Sequence, residues 1–153
     1  MGKIAKRLAE LGITLPVSAP PAANYVPFVK TGAFLFIAGQ LPFREGKLIH
    51  LGHLGDQISL DEGYQAARLC GINIIAQIQA AGYLERVRQV VKLGGFVAST
   101  AAFSDQPKVV NGASDLLVEV FGDAGKHSRA AVGCVSLPLG VAVEVDAIIE
   151  VID

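Results

Sequence analysis

Tryptophan is absent, methionine occurs once, and only two cysteines and three histidines are spread over 153 residues. Cys70 and Cys134 belong to no CxxC pair and no Cys/His cluster, so they read as small buried hydrophobes in a reducing compartment rather than as a disulfide or zinc site. His50 and His53 flank Gly52 without a third ligand in a recognisable pattern, which favours loop histidines over a metal site. Charge is equally sparse, with 13 Lys+Arg against 14 Asp+Glu and a net charge of −1. Nucleic-acid binders draw most of their affinity from neutralising phosphates. Without a dense basic stripe, this chain has little case for such a partner. No apolar run approaches the ~20 residues that cross a bilayer. The basic start at Lys3, Lys6 and Arg7 is not followed by the apolar segment of a secretory signal, so the expected location is cytoplasmic. Phosphate-loop and dinucleotide-binding patterns are missing too, and Gly94-Gly95 fits neither.

Hydrophobic residues, by contrast, make up 52% of the chain. A chain of this length buries roughly 70% of the surface it exposes when unfolded, enough for a core without staples. No repeat, low-complexity block or composition break divides it, and we read one domain over 1–153. A short amphipathic helix is predicted over 3–11, with Ile4, Leu8 and Leu11 on one side and Gly12 as its stop. Next comes an extended linker over 13–24, rich in proline from Leu15 to Pro21.

Val26–Lys30 and Phe34–Ala38 read as a hairpin around Thr31-Gly32-Ala33, and Glu45-Gly46 marks a further tight turn. Ser59 with Glu62 forms a capping box. From there Leu60, Tyr64, Ala67, Gly71, Ile74, Ile78 and Ala81 recur at helical spacing up to Gly82. Val87–Ala98 reads as a strand with Val87, Val91, Leu93 and Val97 on one side, and Gly94-Gly95 marks a bulge or close approach. A second main helix starts near Asp105 and stops at Gly122. Two strands close the chain, Arg129–Val135 and Ala142–Ile152, joined as a hairpin by the turn Ser136–Gly140. This order predicts an α+β two-layer domain, with a sheet covered on one face by two helices. The last strand carries apolar residues at both parities, which predicts burial on both faces and hence self-association.

The closing strands also hold the candidate chemistry. Arg129 opens a strand that is otherwise uncharged, and Glu144 lies between Val143 and Val145. A carboxylate among valines must be paired, face water or have a raised pKa. A salt bridge or an exposed edge accounts for these charges as well as a site does. In a site, Arg129 would hold a carboxylate with its planar fork, and Glu144 would move a proton. His127, two residues before Arg129, is placed to tune local charge. Ser128 and Ser136 have no local base, so a serine nucleophile is not indicated.

Arg129-Ala130-Ala131-Val132, Leu137-Pro138 and Val143-Glu144-Val145-Asp146-Ala147-Ile148 together resemble the C-terminal signature of the Rid family, the YjgF-like reactive-intermediate deaminases also called endoribonuclease L-PSP-like. Ala38-Gly39-Gln40-Leu41-Pro42 resembles the family's Ser-Gly-Gln-Ile/Val-Pro segment. Tyr25, Asn111 and the helix end Ala80-Ala81-Gly82 also match, and the motifs span nearly the whole chain. The resemblance implies a chorismate mutase-like mixed sheet and a homotrimer with a barrel-like centre. It also implies ligand clefts between subunits and cofactor-free, metal-free hydrolysis of small imines or enamines to 2-keto acids and ammonia. Arg129 would bind the substrate carboxylate and Glu144 would position or activate water. Tyr25, Ala38, Gly39, Asn111 and Ala131 would contact the ligand or support the cleft. Ala38 replaces the usual Ser and Ala131 a frequent Cys, which marks a divergent branch. That departure keeps open a non-catalytic module that binds small carboxylates. The endoribonuclease activity attributed to some members finds no support in the composition.

Overall fold

A computed structural model describes residues 1–18 and 23–153. The predicted linker therefore lies partly outside the described residues, and residues 13–18 carry neither helix nor strand. The first helix, α1 (Lys3–Glu10), is tied down by Glu85, whose carboxylate accepts from the Ile4 and Ala5 N–H groups at 2.8 and 2.9 Å. These bonds satisfy two donors that a helix N-terminus leaves open. The predicted capping box is present: Ser59 Oγ accepts from the Glu62 N–H, and Glu62 Oε1 from the Ser59 N–H, each at 3.1 Å. It launches α2 (Leu60–Ala80), and Gly82 at φ 86° turns the chain away. The third helix, α3 (Gln106–Phe121), has Pro107 in its first turn and ends at Gly122. The two long helices lie close because α3 offers bare backbone: a Cβ on Gly112 would overlap the Tyr64 carbonyl of α2.

Five strands form the main sheet: β1 (Phe28–Thr31), β2 (Phe34–Gln40), β5 (Val87–Ala98), β6 (Ser128–Cys134) and β7 (Val143–Val151). Their spatial order is β1-β2-β7-β5-β6. The short pair β3 (Phe43–Arg44) and β4 (Lys47–Leu48) stands apart around the Glu45-Gly46 turn. The architecture is the predicted α+β, with a mixed sheet and both long helices on one face. Leu35, Ile37, Val90, Leu93, Val97, Val143, Val145 and Ile149 from the strands meet Ile74, Ile78, Val109, Ala113 and Leu116 from the helices. The segment Leu51–Gln57 contributes as well: Leu54 is fully buried, and its backbone bonds to Ala98 and Thr100 at the end of β5.

Two strand expectations need correction. First, β6 and β7 are not a hairpin. β6 runs parallel to β5, and β7 enters antiparallel between β2 and β5. Helix α3 supplies the long crossover that a parallel pair requires. Between the two strands, Leu139 at φ 59° in the turn Pro138–Gly140 redirects the chain instead of folding it back. The centre of the sheet suits β7, whose inward side is all Val, Ala and Ile. Second, β5 does not present one uninterrupted parity. Its pairing with β7 shifts between Val87 and Gln89 and again between Val90 and Lys92. Val90, Leu93, Gly95 and Val97 are therefore buried under the helices, and Val91 is not. Within one chain, β7 is fully buried on the helix side. Glu144, Asp146, Ile148 and Glu150, on the other side, are half-buried.

Candidate functional site

The uncovered side of β7 carries three acids, and their surroundings differ. Glu150 pairs with Arg88 at 3.8 Å. Among the described residues, neither Glu144 nor Asp146 has an ion-pair partner. Burial, then the neighbouring charge of Asp146, raises the pKa of Glu144. Burial also raises that of Asp146, against the opposing pull of the Gly94 N–H and Lys92. Burial thus eases both carboxyls toward the protonated form, the direction that favours proton exchange.

Glycine makes the room. Ile37 faces Ala147 and Gln40 faces Val145, so Ala38 and Gly39 together oppose the single residue Asp146. This is a β-bulge, a device that re-aims a strand locally. A Cβ on Gly39 would overlap the Glu144 carboxylate, and one on Gly94 would overlap that of Asp146. The bulge is braced from the helix side. Gln40 Nε2 donates to the Ala38 carbonyl at 2.9 Å, and Gln77 Nε2 reaches Gln40 Oε1 at 3.5 Å. Gly95, the other half of the Gly-Gly pair, faces the helices, where Val110 occupies the space of its missing side chain. The expected close approach at Gly94-Gly95 therefore occurs on both faces, while the register shifts lie elsewhere in β5.

Arg129 belongs to a second group. It is level with Leu93 on the helix side of the sheet and reaches across to α3. Its Nη1 donates to Ser114 Oγ and its Nη2 to the Pro107 carbonyl, both at 3.0 Å. Asn111 lies on the same helical stripe, four residues after Pro107 and three before Ser114. Ala131 shares the face of Arg129, level with Gly95. His127 joins the group through Ser114, with Nε2 2.8 Å from the hydroxyl oxygen and Nδ1 2.6 Å from the Gly125 carbonyl. No ion pair to Arg129 occurs among the described residues.

The expected residues therefore fall into two half-sites. Glu144, Ala38 and Gly39 occupy the open face, and Arg129, Asn111 and Ala131 the helix side. Glu144 is level with Phe96, and Phe96 with Val132, three residues along β6 from Arg129. That offset is about 10 Å along the strand, added to two strand spacings of ~4.8 Å and a change of face. One chain does not bring Arg129 and Glu144 together. Tyr25 stands ahead of β1, 49% exposed. Ser114 escaped the sequence reading of the site, its only signal being its helical spacing from Asn111, whereas Asp146 was legible as a second carboxylate on the parity of Glu144. His50 Nδ1 lies 4.0 Å from Glu62, whereas His53 Nε2 meets the Val135 carbonyl at 2.7 Å, so the two rings serve different neighbours. Cys70 is buried in α2, and burial holds its thiol well above its ordinary range.

Comparison with known proteins identifies relatives of the whole chain. A Trypanosoma cruzi protein named TCP17 is 48% identical over 97% of this chain and 94% of its own length. A crystal structure of an Agrobacterium tumefaciens protein of unknown function matches with a TM-score of 0.91 at 48% identity, covering 97% of this chain and 92% of that one. The archaeal "RutC family protein PH0854" of Pyrococcus horikoshii is 31% identical over 84% of this chain and 87% of its own. The family profile described as "YjgF/chorismate mutase-like, putative endoribonuclease" matches residues 5–151. Because that profile spans nearly the whole chain, the chain belongs to the YjgF/chorismate mutase-like family.

Proposed function

We propose that the protein is a cofactor-free deaminase that hydrolyses small 2-imino acids to 2-keto acids and ammonia. Its site would be completed between copies of the chain in a homotrimer with a barrel-like centre. One observation carries the reading: two half-buried opposite charges, Arg129 and Glu144, are both left without an ion-pair partner among the described residues. Leaving such charges unneutralised is costly unless something else meets them. A ligand with a carboxylate at one end and a proton-exchanging C=N at the other answers both. Because the two groups lie on opposite faces of one sheet, a single small ligand touches both only when Arg129 comes from one copy and Glu144 from its neighbour. The unpartnered half-buried face of β7, with Phe34 and Phe36 of β2 beside it, supplies an apolar surface for that contact.

The chemistry needs little else. Arg129 grips the carboxylate. Glu144, as carboxylate, takes a proton from water as the oxygen attacks the imine carbon. The imine nitrogen receives that proton to give the carbinolamine; the hydroxyl proton then passes to the same nitrogen, again by way of Glu144, the C–N bond breaks, and ammonia leaves as the C=O forms. One imine and one water are consumed, one keto acid and one ammonia are produced, and no electron changes hands. Ala38 in place of a hydroxyl residue keeps its backbone in the bulge, so the glycine-backed position of Glu144 does not depend on that side chain.

The test generates 2-iminobutanoate in place with a threonine dehydratase and uses semicarbazide as a competing trap. The protein speeds 2-oxobutanoate formation, and Arg129→Ala lowers kcat/KM by about 100-fold, in line with removal of a charge-assisted bidentate contact. A wild type that is inert on several imines but stabilised by small carboxylates would replace this reading with a binding module. Strongly salt-dependent RNA binding with strand cleavage would replace it with a nuclease.

A further inference from the structure

We infer that Ser114 and His127 form a positioning chain that presets the Arg129 guanidinium for a carboxylate; the inference rests on the proposed role of Arg129. The direction of each hydrogen bond is set by its neighbours. The Gly125 carbonyl only accepts, so His127 Nδ1, 2.6 Å away, carries a proton. In the neutral ring Nε2 is then a bare acceptor. Ser114, 2.8 Å from Nε2, donates its single hydroxyl proton there. Its oxygen lone pairs are left facing outward, and Arg129 Nη1 donates to them at 3.0 Å. Every link has one donor and one acceptor, and the chain runs from a carbonyl just beyond the end of α3 to the guanidinium. The Pro107 carbonyl holds Nη2 from the other side at 3.0 Å.

The chemical character of these partners matters more than their number. Ser114 and Pro107 offer neutral oxygens, which fix the plane of the guanidinium without cancelling its charge. Arg68 makes the useful contrast: it sits 3.4 Å from the Glu119 carboxylate, and its charge is already met. Among the described residues, three of the five Arg129 N–H groups remain for a ligand. Free arginine side chains carry substantial rotamer entropy. Ordering the side chain before the ligand arrives removes that loss from the binding step. The ligand class is a small carboxylate that meets a fork already turned to face it. Ser114 and His127 are positioning residues: they act on the ligand only through Arg129.

The test compares wild type with Ser114→Ala, Ser114→Thr and His127→Phe. Two readouts are taken, steady-state kinetics on 2-iminobutanoate and calorimetric titration with 2-oxobutanoate, which needs no turnover. Ser114→Ala should raise KM and weaken 2-oxobutanoate binding by about tenfold, with kcat within about twofold, since a neutral hydrogen bond to a charged group is lost. Ser114→Thr, which keeps the hydroxyl, should restore both to within about twofold, and His127→Phe should fall between. Histidine 15N NMR of the unliganded protein should find His127 in the Nδ1–H tautomer, with an Nε2 resonance that shifts in Ser114→Ala. Unchanged binding in Ser114→Ala, failure of Thr to rescue, or a fall in kcat alone overturns the chain. If wild type binds 2-oxobutanoate without hydrolysing imines and the variants keep this ranking, the deaminase reading fails and the positioning chain stands. A wild type that binds no carboxylate overturns both.

Discussion

The two sides of β7 differ more than any two helices or loops in the molecule. Toward the helices it presents Val143, Val145, Ala147, Ile149 and Val151, all buried. Toward the open face it presents Glu144, Asp146, Ile148 and Glu150, all half-buried. Successive side chains of a strand point to opposite faces, so a single nine-residue segment serves the core with one parity and the candidate chemistry with the other. Residues adjacent in sequence thus meet different physical demands, and substitutions in one set should leave the other measurable.

That separation can be tested directly. The largest effect is expected from Glu144→Gln, which should lower keto-acid formation by roughly 10²–10⁴-fold, the usual worth of a positioned acid–base group. Stability should move the opposite way. Because the folded-state pKa of Glu144 is raised by burial and by Asp146, its favourable contribution is present below the ordinary glutamate value of about 4.3 and is lost as pH rises through the raised value. Glu144→Gln should therefore unfold at higher urea than wild type at neutral pH, and the two should converge below about pH 4. Next comes Ile149→Ala, on the same strand but the other side, which should destabilise by about 2–5 kcal/mol in urea unfolding. Its kcat per folded molecule should stay near wild type, and a loss of kcat comparable to that of Glu144→Gln would break the division. Smallest in stability is Gly39→Ala, at about 1–3 kcal/mol, because the new methyl must displace the Glu144 carboxylate. It should impair turnover more than its stability loss explains, linking the bulge to the site.

Local signals were legible in the sequence, and long-range ones were not. Ser59, Glu62, Gly82 and Gly122 set helix boundaries through hydrogen bonds and dihedral angles close at hand, and those boundaries agree with the structure. The partners of β7 are set by competition among strands more than 40 residues apart, which no turn motif encodes. Ser136–Gly140 looked like a hairpin turn because Pro and Gly mark a change of direction without specifying where the next strand will pair. The face of Val91 was misjudged because register shifts in β5 leave no trace in an alternating run of valines. Glu144 and Arg129 stood out as charges in apolar strands, and Gly39 through the family motif. Ser114 and His127 acquire their link to Arg129 only when α3 packs beside β6, a tertiary event.

The sheet order has a consequence for synthesis. A ribosome delivers β1, β2, β5 and β6 before β7, yet β2 and β5 are joined only through β7, which pairs with both. Until β7 arrives the nascent chain holds two incomplete half-sheets with open edges, the condition in which strands recruit wrong neighbours. Closure waits for β7, so chains truncated before Val143 should bind chaperones that capture open strand edges, and chains that include β7 should not.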